Sequence, residues 1–262
     1  MSLLFEMKDL SICYNGKQVV SHLNLSIKKG EILGIVGESG SGKSTIVKAA
    51  LGLLDSGGRI ESGVISFKDQ DLLQLSNKEY QKLRGSCLGS IPQDSKGSFC
   101  PVKTIETHLY EALSKEKTPN QIDVKEKAIR LLKQLNILDA ERFLKSYPFQ
   151  LSGGMNQRAG IMIALMLNPS LLFADEPTSA LDLISQKHVV TTLMEQRKTK
   201  ETAMLIVTHN IGLALHMADH ILVMRKGEVM EYGETKEIMY HPQSSYTKDL
   251  LAAVPRIKRG KV

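Results

Sequence analysis

One stretch constrains this chain more than any other: Gly37-Glu38-Ser39-Gly40-Ser41-Gly42-Lys43-Ser44-Thr45 fits the pattern GxxxxGK[ST]. It follows Ile32 to Val36, a short branched apolar run that reads as a buried strand. It precedes Thr45 to Leu54, which reads as a helix. Glycines let such a loop wrap with its N–H groups turned inward on phosphate oxygens, and the helix N-terminus adds roughly half a positive charge. Lys43 would then reach the β- and γ-phosphates of a bound nucleotide, and the Ser44 hydroxyl would hold Mg²⁺. A glycine-rich turn that binds nothing is the competing interpretation, and the strand-loop-helix context weighs against it.

A second acidic feature supports the first. Leu171-Leu172-Phe173-Ala174 is a buried-strand run that ends in Asp175 and Glu176, so two carboxylates stand at the carboxyl edge where α/β sheets bind ligands. Asp175 suits Mg²⁺, through a coordinated water, and Glu176 suits polarisation of the water that attacks a γ-phosphate. Taken alone, an Asp-Glu pair after a strand is an ordinary loop start or helix cap.

The remaining texture is that of an α/β protein. Met204 to Val207 is another buried run, and helical stretches near Arg158 to Leu167 and Leu183 to Gln196 lie between such runs. Alternating strands and helices imply a parallel sheet covered on both faces. Phe5 to Tyr14 and Gln18 to Ile27 alternate around the turn Asn15-Gly16, which predicts an antiparallel β edge. Between about Asp94 and Gln157 strand-like runs disappear, and Ala128, Leu131, Leu132 and Leu135 take helical spacing within Gln121 to Leu138. A helical subdomain is expected there, with a polar, proline-containing loop at Lys115 to Asn120.

Length and composition are compatible with this. The 262 residues, 42% hydrophobic and 24% charged, suffice for a sizeable core with a small subdomain. The apolar run Ile161 to Leu167 is far shorter than the roughly 20 residues of a membrane span. The start MSLLFEMKDL lacks the features of a secretory signal, so a cytosolic chain is expected. Cys13, Cys87 and Cys100 have no metal-ligand spacing, so reduced thiols are expected. The net charge of +6 raises the question of nucleic acid. Basic residues are nevertheless interspersed with acids, except in the tail from Arg256 to Lys261, and no nucleic-acid partner is expected.

Leu151-Ser152-Gly153-Gly154-Met155-Asn156-Gln157-Arg158 places a hydroxyl and two glycines before a helix, a second anion cradle in a chain that already has one. Here the residues resemble the ATP-binding cassette (ABC) transporter ATPases, whose LSGGQ-type signature completes the ATP site of the opposite protomer. Met155 stands where that pattern usually has Gln. The resemblance extends along nearly the whole chain and implies further roles. Tyr14 matches the aromatic that stacks on adenine, and Gln93 the Q-loop glutamine that touches Mg²⁺ or the attacking water. Ser179-Ala180-Leu181-Asp182 matches the D-loop that crosses to the other protomer. His209 matches the switch histidine on the γ-phosphate. The catalytic set implied is Glu176, His209, Lys43 and Gln93, with ATP and Mg²⁺ as cofactors and Ser44, Gln93 and Asp175 toward the metal. Each of these residues, alone, would pass for a strand surface residue, a cap or a structural histidine. The implied fold is α/β: a P-loop NTPase core with a RecA-like parallel sheet and an antiparallel β edge. The core takes in residues 1–93 and 158–240, with an inserted helical subdomain at 94–157 and a C-terminal extension at 241–262.

Two stretches are similar to the oligopeptide, dipeptide and nickel importer branch in particular. Tyr147-Pro148-Phe149-Gln150 leads into the signature, and His241-Pro242 with Tyr246 to Pro255 looks like that branch's HP…YTKxLLxAxP element. The stretch Gln93 to Pro101 departs from the branch's QDPxxxLNP pattern, which bears on the permease contact. The absence of cysteines after Cys100 and the approach Leu144 to Phe149 lean toward the nickel or metallophore members. The resemblance implies two membrane permease subunits, an extracellular solute-binding protein acting indirectly, and a second cassette. A heterodimer is expected ahead of a homodimer, at the cytoplasmic face of the membrane. Two other classes compete: cassette ATPases of DNA repair or ribosomes, which carry long coiled coils or a second cassette, and GTPase switches, whose NKxD motif is not obvious here.

Overall fold

A computed structural model describes residues 2–113 and 121–254 of the chain. The loop expected at 115–120 and the basic tail lie outside the described residues. The long hairpin β1 (Leu3–Tyr14) and β2 (Lys17–Lys28) turns at Asn15-Gly16, both with positive φ, as an Asn-Gly hairpin requires. It leads through β3 (Ile32–Gly37) into α1 (Lys43–Ala50). β4 (Gly58–Phe67) and the short β5 (Gln70–Asp71) precede α2 (Asn77–Arg84) and β6 (Leu88–Ile91). Four helices follow with no described strand between them: α3 (Ile105–Leu113), α4 (Gln121–Gln134), α5 (Ala140–Lys145) and α6 (Gly153–Met166). The chain then alternates through β7 (Leu171–Asp175), α7 (Leu183–Lys200), β8 (Ala203–Thr208), α8 (Ile211–Met217) and β9 (His220–Arg225). β10 (Glu228–Glu234), α9 (Thr235–Tyr240) and α10 (Ser245–Ala252) complete it.

Two sheets result. One is antiparallel in the order β2-β1-β4-β5. The other runs β10-β9-β3-β8-β7-β6, parallel except for the antiparallel edge pair β10–β9. The expected antiparallel edge is therefore a separate four-stranded sheet built on the hairpin, and the antiparallel edge of the parallel sheet is β10. The central strands β3, β7 and β8 are buried at every position, as strands covered on both faces must be.

Their alternation assigns each face. Leu171, Phe173, Leu205 and Val207 join the hairpin and α1 in one core, which includes an edge-to-face contact between Phe5 and Phe173 at 5.5 Å. Leu172, Ala174, Met204 and Ile206 point to the other face and pack with α3 to α7. Each fully buried Leu, Ile or Phe contributes roughly 1.5–3 kcal/mol, so a one-residue slip that exchanged the faces would be very costly. A third apolar cluster, with Val36, Ile211, Ala214, Ile221, Val223 and Tyr246, holds the C-terminal helices against the sheet.

Candidate active site

The parallel register gathers the expected residues at one edge. Val36 pairs with Thr208, Asp175 with Val207, and Ile91 with Ala174. The residues that follow these strand ends, the loop after Gly37, Gln93, Glu176 and His209, therefore emerge side by side. They line a cavity of about 500 Å³ together with Ser39, Gly40, Gly42, Lys43, Ser44, Thr45, Asp175 and Val19.

The glycine loop is held from both sides. Gly42 has φ of 100° and caps α1 without a side chain. A Cβ there would stand 2.9 Å from the Val19 carbonyl oxygen. At Gly37 a Cβ would stand 2.2 Å from the Met224 carbonyl oxygen, so β9 packs directly on the loop backbone. Ser41 is buried at 3% exposure, and its carbonyl accepts from the Gly227 N–H at 3.1 Å. The first turn of α1 has no acidic residue and no capping side chain, which leaves its N–H groups available to an anion.

Lys43 is buried, with Nζ donating to the carbonyls of Gly37 at 2.8 Å and Glu38 at 2.7 Å. Burial pushes its pKa down, against the pull of Glu176, Asp175 and Glu38. The ammonium thus waits on backbone carbonyls for which phosphate oxygens would be stronger partners.

Asp175 and Glu176 are both 8% exposed. Burial pushes the Asp175 carboxyl up, while the Ser44 hydroxyl and the lysines Lys43 and Lys48 pull it down. Its Oδ1 is buried with no hydrogen-bond partner, an orphaned acceptor that a cation would satisfy. The donors beside it, Ser44 and Gln93, are neutral, and no group of three or more acidic, His or Cys side chains is gathered among the described residues. One carboxylate with neutral oxygens fits Mg²⁺ shared with nucleotide phosphates, not a cage made by protein alone.

Glu176 has φ of 49°, a left-handed conformation that costs an L-residue roughly 1–2 kcal/mol. Its carbonyl accepts from Ser179 N at 3.2 Å, Ser179 Oγ at 3.1 Å and Gln157 Nε2 at 2.8 Å, and its N–H donates to the Val207 carbonyl at 2.9 Å. The carboxylate Oε1 accepts the His209 N–H at 2.9 Å and lies 2.8 Å from His209 Nδ1. This is a carboxylate fixed in direction in the lining of the cavity, suited to polarising a water.

Other expected residues stand elsewhere. Tyr14, at the end of β1, packs its ring on Gly58 and accepts from Asp55 N at 3.3 Å; Val19, not Tyr14, is in the cavity wall. Ser152 caps α6, its Oγ accepting from Met155 N at 3.2 Å, and Gly153 beside it is exposed. Ser152, Gly153 and Gly154 do not line the cavity that holds Lys43. Asp182 caps α7, with Oδ1 accepting from the N–H groups of Ile184 and Ser185, each at 3.0 Å. The Ser185 N–H and hydroxyl hold its carboxyl below the usual range.

Sequence reasoning missed three residues that touch this machinery. Gln157 reaches Glu176 from α6, and Val19 lines the cavity from β2. Tyr246 of α10 accepts from the Glu38 N–H at 3.3 Å, with the Arg225 guanidinium 4.8 Å above its ring. All three lay in stretches already singled out, Gln157 in the signature, Val19 in the hairpin and Tyr246 near the C-terminus, and nothing local connects any of them to the cavity or to Glu176.

A family model described as ABC transporter matches residues 20–179. The oligopeptide transport ATP-binding protein AmiE of Streptococcus pneumoniae is 39% identical over 240 residues, 91% of this chain and 68% of that protein. The dipeptide transport ATP-binding protein DppD of Haemophilus influenzae is 37% identical over 262 residues, 98% of this chain and 79% of that protein. Among solved structures, the dimeric post-hydrolysis state of the ATP-binding cassette MJ0796 bound to ADP and Pi matches with a TM-score of 0.79 and 27% identity. That match covers 88% of this chain and 99% of the other. The cbiO1 protein of Clostridium perfringens, part of the ABC transporter complex cbiONQ, matches with a TM-score of 0.76 over 92% of each chain. With the phosphate loop, the acidic strand end and the histidine gathered at one sheet edge, and these likenesses over most of its length, the chain belongs to the ABC transporter family as an ATP-binding and ATP-hydrolysing cassette.

Proposed function

We propose that this cassette powers an importer of oligopeptides or dipeptides, acting through separate permease subunits at the cytoplasmic face of a membrane. The observation that carries the substrate class is the likeness to proteins named for oligopeptide and dipeptide transport, which extends over 91% and 98% of the chain. Those names favour peptides over the nickel or metal-chelate cargo of the same branch. Among the described residues no helix is long and apolar enough to cross a membrane, and in this reading the passage is supplied by partner subunits.

ATP would sit with its phosphates on the Gly37–Thr45 loop, and Mg²⁺ would be held by Ser44, Gln93 and Asp175 together with phosphate oxygens. The ion would neutralise phosphate charge. Ser152 and Gly154 stand outside that wall at the Ser152-capped start of α6, which supports a site completed by a second cassette. Leu183 and Ile184, 82% and 66% exposed just after Asp182, are apolar surface that such a partner would cover. A paralogous partner is the first expectation and a second copy of this chain the alternative.

The test is reconstitution. ATPase activity of the complex of this chain with its genomic neighbours, in vesicles loaded with or bathed in peptides plus the cognate binding protein, should rise with peptide and not with nickel chelates. Stimulation by chelates alone would reassign the cargo. Copurification with no integral membrane protein would overturn the transport reading.

A further inference from the structure

The strongest unassigned feature is a buried amide that ties the signature helix to the catalytic strand end. Gln157 lies on the second turn of α6, 2% exposed. Its Nε2 donates to the Glu176 carbonyl at 2.8 Å, and its Oε1 accepts from the Ala180 N–H at 3.2 Å. One side chain therefore holds both ends of the segment that runs from Glu176 into the D-loop. The first turn of α6 presses on the same segment: a Cβ at Gly154 would stand 2.9 Å from the Ala180 carbonyl oxygen and 3.1 Å from Leu181 Cδ2.

We propose that Gln157 is a positioning residue, which holds Glu176 in its left-handed conformation and keeps the signature helix and the D-loop in one fixed relation. The observation that demands such a role is the positive φ of Glu176. Strain of that kind persists only where surrounding contacts over-determine it. Of the donors on the Glu176 carbonyl, Ser179 contributes two from the same turn, and Gln157 is the one that arrives from another element. Without it the carbonyl keeps only the two donors of its own turn, and the remaining anchors from other elements include the Val207 carbonyl on the Glu176 N–H and the His209 contacts on the carboxylate.

The geometry also carries a consequence for two sites. Glu176 serves the nucleotide on this chain's own loop. Ser152 and Gly154, at the start of the helix that bears Gln157, would serve the nucleotide of the partner. A displacement of either is passed to the other through a short, buried, hydrogen-bonded link. This second part rests on the two-cassette reading above; the part that concerns Glu176 does not.

Two substitutions separate the roles of the amide. Gln157→Glu keeps an acceptor for Ala180 N–H and loses the donor to the Glu176 carbonyl. Gln157→Leu loses both with little change of volume. Both should lower kcat for ATP by about tenfold or more, while the affinity of the isolated chain for a fluorescent ATP analogue stays within about twofold, because neither touches the phosphate loop. Ile161→Val, a loss of one buried methylene on the same helix, is the control for mere destabilisation and should leave kcat within about twofold. ATP-driven association is read separately in a Glu176→Gln background by light scattering. Adding Gln157→Leu should raise the ATP concentration needed for association by about fivefold or more. A wild-type kcat in both Gln157 variants, or a kcat that falls in step with nucleotide affinity, would overturn the role at Glu176, and unchanged association would overturn the link between the two sites. If the Glu176→Gln chain with Gln157 intact fails to associate with either partner, the two-cassette reading fails, and the kcat comparison still decides the role at Glu176.

Discussion

His209 Nδ1 lies 2.8 Å from Glu176 Oε1, and the same oxygen accepts the His209 backbone N–H at 2.9 Å. Where the carboxylate is ionised it can only accept, and the contact then calls for a proton on Nδ1 of the histidine that follows β8. Two strand ends are thereby joined by one carboxylate.

Removing the charge and keeping the shape should separate binding from hydrolysis. Glu176→Gln is expected to lower kcat by about 100-fold or more, the scale of general acid–base contributions, with ATP affinity within a few-fold of the parent. The trapped nucleotide should drive association with the second cassette, read by native mass spectrometry. Strong self-association without that cassette would replace the heterodimer with a homodimer.

Lys43→Ala removes the buried ammonium that now rests on the Gly37 and Glu38 carbonyls. Loss of a charge-assisted partner for phosphate oxygens should weaken ATP binding by about tenfold or more and abolish transport-coupled hydrolysis. Equilibrium binding of ATP and ADP, together with turnover in the reconstituted complex, checks this; near-normal turnover would show that the loop does not hold phosphate.

Tyr14 is off the cavity wall, with its hydroxyl on Asp55 N and its ring on Gly58. Stacking on a base is worth roughly 1–3 kcal/mol and does not read the base edge. If the ring stacks on the base as the family resemblance implies, Tyr14→Ala should weaken ATP and GTP binding by similar factors. Unchanged affinity for both would confine Tyr14 to packing the hairpin end and leave Val19 as the apolar wall of the cavity.

Tyr246→Phe keeps the ring under Arg225 and deletes the hydroxyl that accepts the Glu38 N–H and also meets the Glu38 side chain. A hydrogen bond of this type contributes about 0.5–1.5 kcal/mol, so ATP affinity should fall by roughly two- to tenfold as the Glu38 peptide loses one of its anchors. Calorimetric titration of ATP into the variant and into Leu251→Ala, which loosens α10 without touching the phenol, distinguishes the hydrogen bond from packing. A larger loss in Leu251→Ala would assign the effect to packing.

Local pattern was enough for much of the molecule. The strand-loop-helix around Gly37–Thr45, the buried run ending at Asp175-Glu176 and the Asn15-Gly16 turn are legible because each is encoded by neighbours in sequence: apolar alternation, positive-φ residues and a helix start. The helix from Leu183 was legible for the same reason. The signature helix was expected from Arg158 because the apolar run starts near there, whereas α6 begins at Gly153. Its first turn is specified by the Ser152 cap, a hydrogen bond that hydropathy does not register.

What only the tertiary structure decided is which distant groups meet. Strand order and register brought Gln93, Glu176 and His209 to one edge through pairings across the sheet, a choice made by burial of both faces and invisible to any single segment. Gln157 is a polar residue in an ordinary helix until its amide finds the Glu176 carbonyl, and Tyr246 is one aromatic among several until its hydroxyl finds Glu38 N. Sequence by itself determined the chemistry available to this protein, because residue type and local backbone preference are properties of short stretches. The aim of that chemistry, down to the left-handed turn at Glu176, was decided by contacts between elements far apart in the chain, because only they can supply the partners that hold a strained peptide in place.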